Sequence, residues 1–480
     1  MPTSTSLAVL FFSVALPLLL IKTSTTLPAA ELQALPPTCH LQGAVDECCN
    51  CTYQQVDSLN HDKLHPLLSE LVTTPFFRYF KVNVFCDCPL WPDDSMCAMQ
   101  ACSVCECDAN EVPSSWLAQE QASCAANDTP SAAQGELGGE SSPTAPPCDT
   151  AQCAAELDSR VNSSVEPAIR SQLLALKGWR GINNPWMAEA DDGEEYLYIN
   201  LRVNPERYTG YKGEHAHRIW KAIYSQSCFA RVDDCAEARV FYRLVSGMHA
   251  SISAHISANY LLDEEGFGVT WGKNLTDFQH RLGTVGVRER VQNLYFAYLF
   301  VLRAVVKAGP LLQRLDYFTG LAKEDARTQE LIDQLVSMPE LQQACPMPFD
   351  EGRLWKGADS AVLMAEVQSA FQNITRIMDC VGCEKCKLWG KLQTLGIATA
   401  LKILFSSSDC TGAVPAQGSP FAVLQLERNE VIALLNLLER FAVALEYYDE
   451  MSQDMLMGGG SKASLTPPVA PAVAQTEAIF

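Results

Sequence analysis

The stretch from Cys380 to Phe405, CVGCEKCKLWGKLQTLGIATALKILF, joins closely spaced cysteines to a long apolar segment. Its three cysteines form two overlapping Cys-x-x-Cys pairs, and Leu388–Phe405 has the apolar periodicity of a helix. A cysteine at the start of a helix lies near exposed backbone N–H groups, which lower the pKa of its thiol and favour the thiolate that attacks disulfides. From this segment alone, redox chemistry, a structural disulfide and a metal site all stay open, although no fourth zinc ligand lies at the spacing of a zinc finger.

Apolar periodicity recurs on both sides of this stretch and predicts a mainly α fold, a single large helical domain with a helical-bundle core. The predicted helices are Ala216–Tyr224, Ala238–Leu262, Val287–Val306, Glu366–Met378, Leu388–Phe405 and Asn429–Tyr448. The predicted domain covers 31–450 and is flanked by two segments outside it. The parts of the chain are a signal peptide (1–30), a cysteine-rich and loop-rich region (31–126), a flexible loop (127–147), the helical core (196–450) and a disordered tail (451–480).

The charge and the cysteine content restrict the class of protein. Lys and Arg number 35 against 56 Asp and Glu, and the resulting net charge of −21 disfavours nucleic acid as a partner. Twenty cysteines are normal in an oxidising compartment and unusual in a reducing cytosol.

The N-terminal segment points to the same compartment. The fifteen mostly apolar residues Leu7–Ile21 are typical of a signal-peptide core and too short to span a membrane. We therefore expect a soluble luminal or secreted protein; a retained signal anchor is the alternative, because no basic residue precedes the apolar run. Five Asn-x-Ser/Thr sequons fit a secretory route and are Asn50, Asn127, Asn162, Asn274 and Asn373.

Two further groups of residues carry candidate chemistry. Cys97-Ala-Met-Gln-Ala-Cys102 lies in a polar, loop-like region and by itself indicates a structural disulfide knot. The other group offers Arg, Thr, Ser and His side chains for a diphosphate and a Trp for a flat ring, a weak signal on composition alone. No Gly-x-Gly-x-x-Gly occurs, so a Rossmann-type site is not indicated. The members of this group are Arg207, Thr209, Trp220, Ser246, His249, Arg281 and Arg290.

Five segments then occur in one order along the chain: CDCPLWPDD with CAMQAC, NPERYTGYKG, FYRLVSGMHASIS, NLYFAYLFVLRAV, and IMDCVGCEKCKLWGKLQTLG with ALKILFS. In combination they resemble the endoplasmic reticulum oxidoreductin family, the flavin-dependent thiol oxidases that recharge protein disulfide isomerase. The likeness covers about Cys39 to Leu445 and leaves out the 127–147 loop and the tail.

The resemblance implies two redox-active cysteine pairs. Cys383 and Cys386 match the active-site pair beside the flavin, with Cys386 facing it, and Cys97 and Cys102 match an outer shuttle pair on a mobile loop. The remaining assignments are structural bridges Cys88–Cys380 and Cys228–Cys235, and Cys107 and Cys124 as the partners that sequester Cys102 and Cys97 in an inactive form.

The resemblance also implies a cofactor, a reaction and a location. It assigns FAD to the seven residues from Arg207 to Arg290 named above, with Arg288 as an alternative to Arg290. Reduced protein disulfide isomerase would attack the outer pair, the outer dithiol would attack the inner pair, and FAD would pass two electrons to molecular oxygen, giving hydrogen peroxide. The implied location is the endoplasmic reticulum lumen, with a peripheral attachment to the luminal face of the membrane.

Two other classes of protein stay open at this point. One is a disulfide-stapled secreted binding protein without catalysis, which would carry no flavin colour. The other is a flavin-free thiol–disulfide isomerase, although no thioredoxin-like βαβ pattern surrounds the Cys-x-x-Cys pairs.

Overall fold

The computed structural model describes the chain in segments. They are residues 41, 43–45, 51–91, 102–107, 111–118, 184–188, 196–227, 236–264, 268–282, 288–343, 351, 354–356, 359–405 and 424–458. Several predictions from the sequence lie outside these segments and stay predictions: the signal peptide 1–30, the 127–147 loop, the sequons at Asn50, Asn127 and Asn162, and the cysteines Cys97, Cys124, Cys228 and Cys235.

Short helices and a two-stranded sheet form the first described part. The helices are α1 (Tyr53–Leu59), a π-helical turn (Asn60–Leu64), α2 (His65–Leu71) and α3 (Pro75–Arg78). Strand β1 (Tyr79–Val82) pairs antiparallel with β2 (Leu197–Asn200), and Tyr79 lies opposite Asn200. This small sheet connects the cysteine-rich region to the helical core.

Longer helices and one hairpin form the rest. They are α4 (Glu214–Ser225), α5 (Ala236–Ala258), β3 (Tyr260–Glu264), β4 (Gly268–Gly272), α6 (Leu275–Leu282), α7 (Arg288–Leu312), α8 (Ala322–Ser337), α9 (Pro339–Gln343), α10 (Ser360–Asp379), α11 (Glu384–Phe405) and α12 (Arg428–Gly458). The mainly helical fold predicted from the sequence is confirmed.

Helices α5, α7, α11 and α12 pack together as the core. Helix α7 is long and apolar enough to cross a membrane, but most of its apolar stretch is buried inside the protein, as predicted for 294–302. Glycines allow the closest helix contacts, because a Cβ added to Gly247 of α5 would lie 2.7 Å from the Cβ of Ala297 on α7. A Cβ on Gly396 of α11 would likewise lie 2.7 Å from the Cβ of Leu437 on α12.

Two helix ends and one whole helix illustrate where the structure differs from the sequence prediction. The helix predicted to end at Leu262 ends at Ala258, because Tyr260–Glu264 pairs with Gly268–Gly272 as an antiparallel hairpin. Helix α12 continues to Gly458, so residues 451–458, assigned to the tail from the sequence, are helical. Helix α8 was not predicted, since only a narrow stripe of its residues is buried.

Candidate functional site

The inner cysteine pair lies at the start of α11. Cys383 immediately precedes the helix, its carbonyl oxygen accepts a hydrogen bond from the N–H of Lys387 (2.7 Å), and its side chain is fully buried. Cys386 lies one turn later and is half-buried. Both are thiols in this structure, and the hydroxyl oxygen of Thr209 lies 3.3 Å from the Cys383 sulfur and 3.5 Å from the Cys386 sulfur.

The two thiols differ in acidity. Hydrogen bonds from the Cys386 thiol, from Thr209 and from the first backbone N–H groups of α11 lower the pKa of Cys383, although burial opposes them. The hydrogen bond to Cys383 and burial raise the pKa of Cys386 well above its usual value. Cys383 is therefore the first of the pair to become a thiolate, as expected for the cysteine at a helix N-terminus.

A disulfide anchors the segment that carries this pair. Cys380, the residue after α10, is bonded to Cys88, which is 292 residues earlier in the chain. This is the first of the two structural bridges that the resemblance implies. It ties the chain entering the outer cysteine loop to the chain entering the inner pair.

The second cysteine of the outer pair lies against the inner pair. The Cys102 carbonyl oxygen accepts a hydrogen bond from the N–H of Lys385 (2.9 Å) and lies 3.9 Å from the Cys383 sulfur. The N–H of Val104 donates to Glu384 Oε2 (2.9 Å). Cys102 is 5% exposed and is disulfide-bonded. The segment 102–107 is thus docked on the N-terminus of α11.

Asn204 holds the same segment from the other side. Its side-chain oxygen accepts from the N–H of Cys105 (2.7 Å), and its side-chain nitrogen donates to the Cys105 carbonyl oxygen (2.8 Å). The Asn204 carbonyl oxygen accepts from the indole N–H of Trp389 on α11 (2.8 Å). Glu106 forms a β-bridge with Ile199, and the N–H of Cys107 donates to the Tyr198 carbonyl oxygen (3.2 Å). The docked segment is therefore fixed to both α11 and β2.

A cavity of about 390 Å³ opens beside the inner pair. Cys386 lines the cavity and Cys383 does not. The cavity lies between α11 and the helices α4, α5 and α6, and its size is within the range of pockets for organic ligands. Six of the seven residues assigned to FAD line it, and they are Arg207, Thr209, Trp220, His249, Arg281 and Arg290.

Ser246, the seventh residue, lies behind the cavity wall. It is buried, and its hydroxyl oxygen accepts a hydrogen bond from the side chain of Asn293 on α7 (3.1 Å). The Tyr224 hydroxyl lies 3.0 Å from His249 Nδ1. Burial and the positive charges of Arg290 and Arg281 hold the pKa of His249 well below its usual value, so this imidazole is neutral at pH 7. Ser246 therefore supports the cavity wall from behind, whereas His249 lines the cavity as a neutral ring.

The cavity has a positive charge although the chain has a net charge of −21. Its carboxylates already have arginine partners, because Glu206 pairs with Arg440 and Asp277 Oδ2 lies 2.8 Å from Arg281 Nε. The cationic side chains that line it are Arg207, Lys212, Arg281, Arg290 and Lys385, and its carboxylates are Glu206 and Asp277. An anionic ligand such as a diphosphate is favoured by this balance.

Besides positive charge for a diphosphate, a dinucleotide site needs flat surfaces for the rings of the ligand, and the cavity has aromatic side chains that offer them. Trp220 and His249 stack with their ring centroids 3.7 Å apart. Trp389 lines the cavity next to Cys386, and the guanidinium of Arg440 lies 4.1 Å from its ring centroid on the ring face. Charged groups for phosphates and aromatic surfaces for planar rings therefore occur in one cavity, with a thiol in its wall.

Sequence reasoning did not identify Asn204, Glu206 and Tyr211 as site residues, although all three are in the quoted NPERYTGYKG segment. The Tyr211 hydroxyl accepts a hydrogen bond from the N–H of Gly382 (3.4 Å). Arg440 had no local signal, since it lies on α12 and reaches the site only through the fold. Among the described residues, no group of three His, Cys, Asp or Glu side chains is arranged to hold a metal ion.

Two predicted glycosylation sites are described. The Asn274 side-chain oxygen accepts from the N–H of Asp277 (2.9 Å) at the start of α6. The Asn373 side chain donates to the side-chain oxygen of Gln226 (3.0 Å) from the half-buried face of α10. Their modification stays a prediction.

Comparison with known proteins extends these observations. The family model described as Endoplasmic Reticulum Oxidoreductin 1 (ERO1) matches residues 63–448. Endoplasmic reticulum oxidoreductin-1 of Arabidopsis thaliana is 45% identical over 427 residues, which cover 88% of this chain and 82% of that protein. ERO1-like protein alpha of Homo sapiens is 35% identical over 445 residues, 85% of this chain and 90% of that protein.

Solved structures give the same result. The structure of Ero1p, described as the source of disulfide bonds for oxidative protein folding in the cell, matches with a TM-score of 0.55 and 25% identity and covers 84% of this chain and 99% of its own. A mutant of S. cerevisiae Ero1p matches with a TM-score of 0.53 and 26% identity over the same shares of the two chains. The fold, the family model and the similar relatives agree, and the chain belongs to the endoplasmic reticulum oxidoreductin family.

Proposed function

We propose that this protein is an FAD-dependent thiol oxidase that makes disulfides in protein disulfide isomerase and reduces molecular oxygen to hydrogen peroxide. Family membership already makes it an oxidoreductase of oxidative protein folding. The observation that carries the finer proposal is the contact between two cysteine systems beside one cavity. The backbone carbonyl oxygen of Cys102 lies 3.9 Å from the Cys383 sulfur, and Cys386 lines the cavity wall.

The buried position of the inner pair makes a relay necessary. Cys383 is fully buried, so a bulky folded partner cannot bring a cysteine to it. The outer pair, Cys97 and Cys102, meets the partner instead. Reduced disulfide isomerase reduces the bond between Cys97 and Cys102 and leaves with its own disulfide formed, which requires two thiol–disulfide exchanges.

The nearness of the Cys102 backbone to Cys383 supports a direct transfer between the two pairs. With the outer pair reduced and the inner pair oxidised, the Cys102 thiolate attacks the Cys383 sulfur, and Cys386 leaves as a thiolate. The Cys97 thiolate then attacks Cys102, which closes the outer disulfide and releases Cys383. The outer dithiol is thereby oxidised and the inner disulfide reduced, and the two protons of the outer dithiol are balanced by those that the inner dithiol takes up.

The cavity residues fit FAD as the acceptor. Arg207, Arg281 and Arg290 supply positive charge for the diphosphate, and Trp220 and His249 supply flat surfaces for the rings. When bound, FAD would accept two electrons from the reduced inner pair and pass them to molecular oxygen. The overall direction is downhill, because protein disulfide isomerase has a potential of about −180 mV and oxygen is a far stronger oxidant.

The proposed location is the lumen of the endoplasmic reticulum, with a peripheral attachment to the luminal face of the membrane. The names of similar proteins refer to the endoplasmic reticulum, and the twenty cysteines are normal in an oxidising compartment. Immunogold labelling and carbonate extraction of microsomes would test both parts of this assignment.

One experiment tests the function. The purified protein is examined for flavin absorbance in the visible range, and oxygen consumption is then measured with reduced protein disulfide isomerase. Cys386→Ala should retain the flavin absorbance and lose oxygen consumption. Cys105→Ser is the control, because the Cys105 side chain is exposed and outside both pairs, and this variant should turn over like the wild type.

Three results would overturn the proposal. A colourless protein that still exchanges disulfides would be a flavin-free isomerase, and a colourless protein without exchange would be a disulfide-stapled binding protein. Full turnover of Cys386→Ala would show that the electrons do not pass through the inner pair.

A further inference from the structure

We propose that the Thr209 hydroxyl is a catalytic group of the inner cysteine pair, which donates a hydrogen bond to whichever of the two sulfurs carries the negative charge. This inference rests on the proposed function and gives Thr209 a role on the thiols beside the role on FAD that the resemblance implies. It is carried by the place of one hydroxyl between two reacting sulfurs.

The geometry of Thr209 is that of a bridge. Its hydroxyl oxygen lies 3.3 Å from the Cys383 sulfur and 3.5 Å from the Cys386 sulfur, both within hydrogen-bonding distance for sulfur. The side chain is 2% exposed, so water does not compete freely for these contacts. Thr209 is on the loop after β2, in a different part of the chain from the two cysteines.

Neighbouring groups of the loop hold the Thr209 hydroxyl oxygen in place. The N–H of Tyr211 donates to the Thr209 hydroxyl oxygen (3.4 Å) and occupies one of its acceptor positions. The Tyr211 hydroxyl in turn accepts from the N–H of Gly382, just before Cys383 in the chain. The loop is thus tied to the cysteine segment at two points. In the dithiol the Cys383 thiol donates to the Thr209 hydroxyl oxygen, and loss of the thiol proton leaves the Thr209 O–H to donate back to the charged sulfur.

This arrangement matches the charge that moves during disulfide exchange. When an outer thiolate attacks the Cys383 sulfur, the bond from Cys383 to Cys386 breaks and the negative charge appears on Cys386. When Cys383 is then released from the outer pair, the charge appears on Cys383. One hydroxyl within reach of both sulfurs stabilises both leaving groups and keeps its own proton throughout. Thr209 also contributes to the lowered pKa of Cys383.

Other charged groups near the pair do not replace this hydroxyl. Glu384 accepts from the N–H of Val104, and Lys385 lines the cavity. Cys102, whose carbonyl oxygen lies 3.9 Å from the Cys383 sulfur, is disulfide-bonded and therefore carries no thiol that could titrate. These groups remain in every variant of the test, so differences between the variants report on Thr209.

The test measures the acidity of Cys383 without any need for turnover. In a Cys386→Ala background, labelling of Cys383 by methyl methanethiosulfonate is followed by tandem mass spectrometry from pH 5 to pH 10. Limited access to a buried thiol scales the rate but leaves the midpoint of the pH profile unchanged. Adding Thr209→Val, which keeps the shape and removes the hydroxyl, should raise that midpoint by about one pH unit, the effect of losing one hydrogen bond to a charged sulfur.

Two matched variants separate the hydroxyl from general disruption. Thr209→Ser restores the hydroxyl and should return the midpoint to that of the background. Thr399→Val removes another fully buried hydroxyl from α11, one that donates to the Leu395 carbonyl oxygen (2.8 Å), and should leave the midpoint unchanged. If Thr209→Val does not fold, Thr209→Ala gives the same test, because it removes the hydroxyl and the methyl group and adds no new group.

A second measurement uses both cysteines. The full chain is equilibrated with glutathione buffers. Thr209→Val should lower the equilibrium constant for reduction of the inner pair about tenfold, which makes its reduction potential about 30 mV more negative. Unchanged midpoints and potentials in Thr209→Val would overturn the inference. Failure of the proposed function is seen separately, as a wild-type protein that is colourless or consumes no oxygen.

Discussion

His255 gives the protein a defined sensitivity to acid. It lies on α5, is 4% exposed, and its Nε2 donates to the Arg440 carbonyl oxygen (2.9 Å). Burial lowers its pKa to about 4, against 6.5 for the unfolded chain. That difference of about 2.5 units corresponds to about 3 kcal/mol, since one unit is about 1.4 kcal/mol.

The sign follows from which state binds the proton. Above pH 6.5 the ring is neutral in both states and the full stability is present. As the pH falls from 6.5 to 4, the unfolded chain takes up a proton that the folded protein excludes, so the free energy of unfolding decreases. About 2.5 kcal/mol of the effect should be reached by pH 4.5.

The assay compares two proteins, because other buried groups titrate in the same range. Burial raises the pKa of Glu439 to about 7, which acts in the opposite direction, and His249 acts in the same direction as His255. These contributions are common to the wild type and to His255→Gln, whose amide still donates to the carbonyl. Urea unfolding at pH 7 and pH 4.5 should therefore show a smaller loss of stability in His255→Gln, by about 2.5 kcal/mol. His65→Gln, on the surface helix α2, is the control, and parallel losses in wild type and His255→Gln would refute the reasoning.

Three further outcomes follow from the packing and the contacts of the site. Gly247→Ala should lower the free energy of unfolding by about 1–3 kcal/mol, because its Cβ would press α5 against α7, and urea titration measures this. Glu206→Gln should cost about 3–5 kcal/mol by leaving the buried Arg440 without its counter-charge, and adding Arg440→Met should recover most of that loss in the same titration. Asn204→Leu should release the docked segment, seen as about tenfold faster hydrogen–deuterium exchange at the Cys105 amide, whereas an unchanged exchange rate would contradict the role of the Asn204 amide as its clamp.

The sequence predicts the core helices well because each carries a wide apolar face. Helix α7 is buried along most of its length, so its pattern is continuous. Helix α8 was not predicted from the sequence, because its few buried residues form a narrow stripe among charged residues. The first three residues of β3, Tyr260-Leu-Leu, were predicted as helix because they extend the apolar pattern of α5, and only pairing with β4 separates the two elements.

The residues of the site could be predicted in part from the sequence, but the contacts between distant residues could not. The inner pair and six further cavity residues were named from the family resemblance, which depends on five segments that are each continuous in sequence. The contact of Cys102 with Cys383 and the pairing of Glu206 with Arg440 join residues more than 200 positions apart, and only the fold brings them together. Asn204 shows the same limit, since its amide is an ordinary polar group until the segment 102–107 lies on it.

The bridge between Cys88 and Cys380 makes the outer pair a tethered reactant. Cys97 is nine residues from that covalent anchor, so even a fully stretched chain cannot take it farther than about 30 Å away. Because this tether is short, the outer pair has an effective concentration of about the millimolar range near the inner pair. The reaction between the two pairs is therefore unimolecular. Disulfide exchange between the outer and inner pairs should therefore have the same rate in dilute and concentrated protein. Other thiols in solution should not compete with it.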